Sequence, residues 1–263
     1  APQAGYDYLA QAMGGVMSIT GEPDGAPMKI GVGVADVMCG MYACISILAA
    51  VRHRDLGGKG QSIDLALLDS QVSWLVNEGL NYLTSGEVPH RRGNAHSNIV
   101  PYQLFETADG HFILAVGNDA QFQRFCDFAG VSDLADDDRF NTNAQRIINR
   151  EALIALLVPV LKTKASRHWL DGLAELGVPV GPVNTIAQVF EDPQVVHRGM
   201  KINMPHDLAG SVDLIASPIG MSETPVSYRR PPPTLGQHTD EVLSELLDMD
   251  ADELEKMRRK GLL

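Results

Sequence analysis

The segment that most restricts the fold is the apolar run from Val37 to Val51. It is entered through Lys29-Ile-Gly-Val-Gly-Val-Ala-Asp36 and followed by Arg52-His53-Arg54 and Gly57-Gly58. Apolar residues fall on nearly every side of a helix drawn from Asp36 to Arg54, so that helix is expected to be buried in a core rather than laid along a surface. The run is too short to span a bilayer, which takes about 20 apolar residues. Basic residues and paired glycines suit a helix C-terminus, because cations face the negative end of the macrodipole and glycine adopts the left-handed turn that follows. At the other end stands Asp36, a lone carboxylate behind small apolar residues. One reading makes it an N-cap, since Asp is a preferred capping residue. The other makes it a nucleophile, its negative charge held by first-turn N–H groups. The local sequence leaves both open.

Composition removes several classes of partner. The 263 residues carry 21 basic and 33 acidic side chains, a formal net charge of −12. That imbalance argues against nucleic acid or an anionic membrane as the main partner. An apolar content of 44% and a mean hydropathy of −0.05 describe a soluble globular protein. Cys39, Cys44 and Cys126 form no C-x-x-C pair. They are expected to be buried, reduced thiols, which implies a cytoplasmic setting. The histidines show no metal-ligand spacing, so no metal site is expected. No signal peptide is visible. The first residue is not Met, which suggests a chain that is processed, trimmed or a piece of something longer.

Helical spacing runs from Tyr6 to Met13, ended by Gly14-Gly15. After the long helix, Ser62 to Leu68 reads as a strand, and the alternation suggests a parallel α/β sheet. Ser70 to Leu83 is a further helix. Tyr102–Thr107 and His111–Gly117, joined by Ala108-Asp-Gly110, form a hairpin. Helices are expected at 120–129, 142–162 and 166–176, the second kinked or ended by Pro159. A short helix near 185–191, strands at 200–204 and 212–215, and two amphipathic helices between Thr239 and Lys260 complete the chain. The polar, glycine-bearing stretch from Ser85 to Asn98 marks a domain boundary.

Gly31-Val-Gly33 invites a dinucleotide reading, but Asp36 holds the third glycine position and would repel a pyrophosphate. The common hydrolase, zinc-protease and P-loop motifs are absent. Arg91-Arg-Gly-Asn-Ala-His-Ser97 is either a loop that closes over a ligand or a linker. His238 is either catalytic or part of a turn in which Thr239 caps the last helices.

Five blocks in order resemble the class III CoA-transferases, the family that includes formyl-CoA and carnitine-CoA transferases. They are Gly5-Tyr-Asp-Tyr-Leu-Ala-Gln-Ala-Met-Gly-Gly15; Gly33-Val-Ala-Asp36 with Gly40 and Ile47-Leu-Ala-Ala50; Gly58-Lys-Gly-Gln61; Gly177-Val-Pro-Val-Gly-Pro-Val-Asn184; and Leu235-Gly-Gln-His-Thr-Asp-Glu-Val-Leu243. The resemblance implies a partial Rossmann-like large domain with a smaller α+β domain, interlocked homodimers, and CoA transfer from an acyl-CoA to a small carboxylic acid. It implies a division into residues 1–84, the remainder of a large α/β domain; 85–100, a linker and active-site loop; 101–200, a smaller α+β domain; and 201–263, a return segment and terminal helices packing on the large domain. It implies no permanently bound cofactor, the CoA thioester being substrate. Asp36 falls on the family's nucleophilic aspartate, Tyr6 on a tyrosine near the thioester, and Asp7 on an acidic position near the acyl group. Gly93, Asn94, Ala95 and His96 fall on a mobile loop over the site, where the family has a run of glycines; His96 is therefore a candidate substrate contact. Arg91, Arg92 and His96 suggest a dicarboxylate.

The racemase branch of the family carries histidine where Tyr6 stands, and histidine exchanges protons near neutral pH more readily than tyrosine. A transferase is therefore expected over an α-methylacyl-CoA racemase. The remaining alternative is a non-catalytic partner subunit of a split transferase. The family's amino-terminal segment, which supplies most CoA contacts, has no counterpart before Gly5. The chain is thus expected to correspond to the carboxy-terminal two-thirds and to bind CoA weakly by itself.

Overall fold

The computed structural model describes residues 4–263. In its first unit, which ends at Val183, α1 (Asp7–Met13) and α2 (Val16–Ile19) lead through a glycine-bearing segment to α3 (Val34–Asp55). α4 (Leu67–Ser73) and α5 (Val76–Ser85) follow. Gly33 is the N-cap of α3, so Asp36 is its third residue and not the cap. The helix closes as its glycines require. Gly57 takes a φ of +93°, its N–H donates to the Arg54 carbonyl at 3.0 Å, and the Gly58 N–H donates to the His53 carbonyl at 3.1 Å. These are the paired bonds of a Schellman turn.

α3 packs on α1 and α4, yet along its 22 residues only Ala35 and Met38 are buried. Val37, Met41, Ile45 and Leu48 are each more than half exposed. The expected burial is therefore not realised in this chain. Two helices on one side cannot cover an all-round apolar helix, and among the described residues no strand precedes Tyr102. Residues 62–66 belong to no helix or strand, with Ala66 extended, and Leu67 enters α4 directly, so the expected strand is replaced by coil and helix. An extended segment with no neighbour to accept its N–H groups is not a strand. The helix is also longer than its apolar run suggests; by length and composition it could cross a membrane, a test that core helices pass as well. Cys39 is half-buried and Cys44 exposed for the same reason, against expectation. Cys126 is buried; burial, with the nearby Asp127 charge, pushes its thiol up to about 12, leaving it unreactive.

The main core forms between residues 100 and 178. β1 (Tyr102–Glu106), β2 (His111–Ala115) and β3 (Val180–Pro182) make an antiparallel sheet in that order, with Phe105 opposite Phe112 and Ile113 opposite Gly181. The helices here are α6 (Asp119–Ala129), α7 (Asp133–Asp136), α8 (Asn143–Ile148), α9 (Arg150–Leu161) and α10 (Ser166–Glu175). Strand alternation turns Phe112 and Leu114 inward, where they join Phe122, Phe125, Leu153, Leu157 and Leu173. Trp169 stacks on Phe112 and donates its indole N–H to the Leu161 carbonyl at 3.0 Å, so its polar edge is satisfied as its rings are buried. The expected 142–162 helix breaks at Asn149, while Pro159 sits inside the last turn of α9.

Arg146 ties this core together. It is wholly buried, donating to the Val100 carbonyl at 2.7 Å, the Phe140 carbonyl at 2.8 Å and Asp119 Oδ1 at 2.7 Å. Its guanidinium carbon lies 4.4 Å from the centroid of the Phe122 ring.

The second unit begins at Asn184. It contains α11 (Ile186–Glu191), α12 (Pro193–His197), the hairpin β4 (Lys201–His206) and β5 (Gly210–Ile215), then α13 (Thr239–Leu247) and α14 (Ala251–Arg259). Asp192 caps α12 through the Gln194 and Val195 N–H groups, with Pro193 at the first helical position. The division after Val183 differs from the sequence-based boundaries near residues 85–100 and 200, because β3 carries the chain back onto β2 before it leaves. Both sheets are antiparallel.

Replacing Arg146 by Ala strands two buried carbonyls. Urea unfolding is expected to show a loss of about 3 kcal/mol, with little recovery in Arg146→Lys, because one ammonium cannot present the same planar fork.

Candidate active site

The N-terminus of α3 is organised by α1. Gly33 has no side chain with which to cap the helix, and the cap comes from Asp7, whose Oδ1 accepts the Ala35 N–H at 2.8 Å. Asp7 Oδ2 accepts from Gln11 Nε2 at 2.8 Å, one turn along the same helix. Gln11 is fully buried. Its Oε1 accepts the Ile30 N–H at 2.9 Å, and its Nε2 also approaches the Val32 carbonyl at 3.4 Å. The segment between Ile30 and Ala35 is thus held by two side chains on one face of α1.

Asp36 stands beside this arrangement with an exposed side chain. A Cβ built on Gly33 would lie 3.7 Å from Asp7 Oδ1 and 3.8 Å from Asp36 Oδ2, so both carboxylates border the same glycine. Asp7 takes two donors; among the described residues none donates to the Asp36 carboxylate. Asp36 therefore lies in the first turn of a long helix, at its positive end, with its oxygens free. Tyr6 precedes Asp7 as the N-cap of α1, its side chain 69% exposed.

Residues 85–98 form a second cluster. Gly93 has a φ of +59°, a conformation that disfavours side chains, and its N–H donates to the Gly21 carbonyl at 3.0 Å. Asn94 is exposed and Ala95 half-buried. His96 packs against the Tyr102 ring at 5.1 Å, and its Nδ1 accepts the Asn98 N–H at 3.0 Å. That leaves Nε2 as the nitrogen available to a ligand. No hydrogen bond among the described residues joins this loop to Asp7 or Asp36; it is anchored at one end by the turn around Gly21–Gly25 and at the other by Asn77 and Asn81 of α5, which bond Ser97 and Asn98.

The arginines differ from what the sequence suggests. Arg91 is committed to that turn, donating to the carbonyls of Glu22 at 3.1 Å, Pro23 at 3.3 Å and Gly25 at 2.6 Å. Arg92 Nη1 faces Glu78 Oε2 at 3.5 Å. Arg150, at the start of α9, donates from Nη2 to the Ser97 carbonyl at 2.8 Å, while its Nη1 is buried without a partner. Burial, and then the Arg92 charge, lower the Arg150 pKa from its ordinary value. A cleft of about 730 Å³ is lined by Arg91, Arg92, Ala95, Ser97, Arg150 and the acidic Glu151. It favours an anion.

Sequence reasoning missed Gln11 and Arg150. Gln11 carried a signal, its four-residue spacing from Asp7. Arg150 carried none, since 53 residues separate it from Ser97. His238 is itself the N-cap position of α13, without a capping side-chain bond, and Thr239 is the first helical residue.

Replacing Arg91 by Ala frees three carbonyls at the surface and loosens the loop from its anchor. Limited proteolysis between Ser85 and Ser97 is expected to quicken about tenfold, with a global stability change below about 1 kcal/mol.

The sequence matches CoA-transferase family III over residues 1–239. It is 46% identical over 243 residues to a succinate–glutarate CoA-transferase of Agrobacterium fabrum, covering 92% of this chain and 61% of that protein. It is 37% identical over 261 residues to a human succinyl-CoA:glutarate CoA-transferase, covering 99% and 60%. Among solved structures it resembles a CAIB/BAIF family protein from Brucella suis, with a TM-score of 0.76 and 46% identity over 93% of this chain and 63% of that one. The chain spans about three-fifths of the length of these relatives.

Proposed function

This chain belongs to CoA-transferase family III, and on that premise we propose that it moves coenzyme A from an acyl-CoA to a short dicarboxylic acid through covalent intermediates on Asp36. The observation that carries the proposal is the free, exposed Asp36 carboxylate in the first turn of α3. An Asp36 oxygen attacks the thioester carbonyl, forming a mixed anhydride and expelling the CoA thiolate. The thiolate then attacks the aspartyl carbonyl, giving an aspartyl thioester and releasing the donor carboxylate. An acceptor carboxylate attacks that thioester in turn, making a second anhydride, and the thiolate collects the acceptor acyl group. Two hard exchanges become four covalent steps. The positive end of the α3 macrodipole favours the oxyanions that form, and covering the site protects the anhydrides from water.

A dicarboxylate is supported by the Arg92–Arg150 cleft, which shares Ala95 and Ser97 with the loop cluster and offers its second carboxylate a charged partner. It is supported too by the relatives named for succinate and glutarate. Tyr6, Gly93, Asn94, Ala95 and His96 are the proposed surroundings of the acyl-CoA, with Asp7 near its acyl group but engaged by the Ala35 N–H and Gln11. The same proposal takes the protein as a cytoplasmic homodimer with no permanently bound cofactor. The apolar residues exposed on α3 supply surface for a second copy.

Incubation with succinyl-CoA, a hydroxylamine quench and peptide mass spectrometry test the chemistry. A hydroxamate on Asp36, absent in Asp36→Ala, is expected; no adduct across a series of dicarboxylyl-CoA donors whose binding to the protein is demonstrated would remove the proposal. For the acceptor, Arg150→Gln is expected to raise KM for glutarate at least about tenfold while leaving butyrate within about twofold. Equal effects on both acids would remove the dicarboxylate assignment.

A further inference from the structure

We infer that Asp7 and Gln11 act as one positioning unit, a cap supplied by α1 that fixes the first turn of α3 and so aims Asp36. The inference rests on the reading of Asp36 as nucleophile. A helix of 22 residues beginning on glycine has no side chain of its own to cap its first N–H groups; that of Val34 donates to the Val32 carbonyl at 2.8 Å, and that of Ala35 needs an acceptor from elsewhere. Asp7 Oδ1 fills that role at Ala35, the residue next to Asp36, at 2.8 Å. A carboxylate on a side chain would rotate freely unless its other oxygen were also held, and Gln11 Nε2 holds it at 2.8 Å.

The orientation of Gln11 is fixed in turn. Its oxygen is taken by the Ile30 N–H and its nitrogen faces Asp7 and the Val32 carbonyl, so flipping the amide would set donor against donor at Ile30 and acceptor against acceptor at Asp7. Burial of Gln11 keeps water from substituting for these partners. The chain of contacts therefore runs Ile30–Gln11–Asp7–Ala35, ending one peptide from the nucleophile. A carboxylate with both oxygens engaged in this way acts on the reaction through Asp36. Displacing a reacting group by about 1 Å can cost roughly a hundredfold in rate.

The polarity of the pair provides the test. Gln11→Glu sets two carboxylates against each other. Adding Asp7→Asn restores complementarity between the two side chains, because the introduced asparagine amide donates to the new carboxylate while its oxygen still accepts the Ala35 N–H; only the long 3.4 Å contact with the Val32 carbonyl is not restored. Using the full chain, succinyl-CoA and glutarate, Gln11→Glu and Asp7→Ala are expected to lower kcat by about tenfold to a hundredfold, with KM for succinyl-CoA within about threefold. The double variant Asp7→Asn/Gln11→Glu is expected to recover most of kcat. Exchange of the Ala35 amide with deuterium is expected to quicken about tenfold in Asp7→Ala, with amides of the β1–β2 hairpin unchanged. A KM increase without loss of kcat in Asp7→Ala, a double variant no better than Gln11→Glu, or an unchanged Ala35 amide would each overturn the inference. A wild-type chain that forms no adduct on Asp36 overturns the functional reading beneath it, whereas wild-type adduct formation that neither single variant slows overturns the positioning unit alone.

Discussion

α3 begins on a glycine, and the rest of the site follows from that. Gly33 leaves room for two carboxylates to border one backbone position, with Asp7 Oδ1 and Asp36 Oδ2 each within 4 Å of where its Cβ would be. It also leaves the helix unable to cap itself, so the acceptor comes from α1. The consequence is a division of labour between residues of the same type. Asp7 is saturated by an amide N–H and a buried glutamine, while Asp36 keeps its oxygens open. Hydrogen-bond partners, rather than residue identity, separate the capping acid from the candidate nucleophile.

The first unit combines two regions with different sources of order. Residues 100–178 supply their own hydrophobic core, with aromatic rings and leucines closed around Arg146 and its three acceptors. The helices before residue 86 bury only a few side chains between them, among them Ala10, Ala35 and Met38, with Tyr42 of α3 hydrogen-bonded to Ser73 and Trp74, and α3 keeps a broad apolar surface exposed. Local polar fixation at its N-terminus matters the more where apolar packing contributes less.

Three arginines show how position assigns chemistry to one side-chain type. Arg91 spends its donors on carbonyls of a turn and anchors the loop. Arg92 faces a glutamate. Arg150 reaches the loop from the start of α9, half-buried, with one nitrogen unpartnered and a like charge nearby. An anion relieves such a guanidinium, and the cleft beside it has the volume to admit one.

The sequence by itself determined the elements whose signals are local. The hairpin at Ala108–Gly110, the glycine-closed end of α3 and the paired terminal helices follow from turn residues, caps and periodicity, and each was legible without a neighbour. Ordered family blocks likewise marked Asp36. Tertiary structure decided what depends on distant partners. An all-round apolar pattern specified a helix but not what covers it, so α3 is largely exposed, and the apolar stretch after it stayed unpaired for want of an adjacent strand. Only folding brought Asp7 to the Ala35 amide across 28 residues and Arg150 to Ser97 across 53. Such contacts have no sequence period, because the hydrogen bond is set by where two elements cross, not by the residues between them.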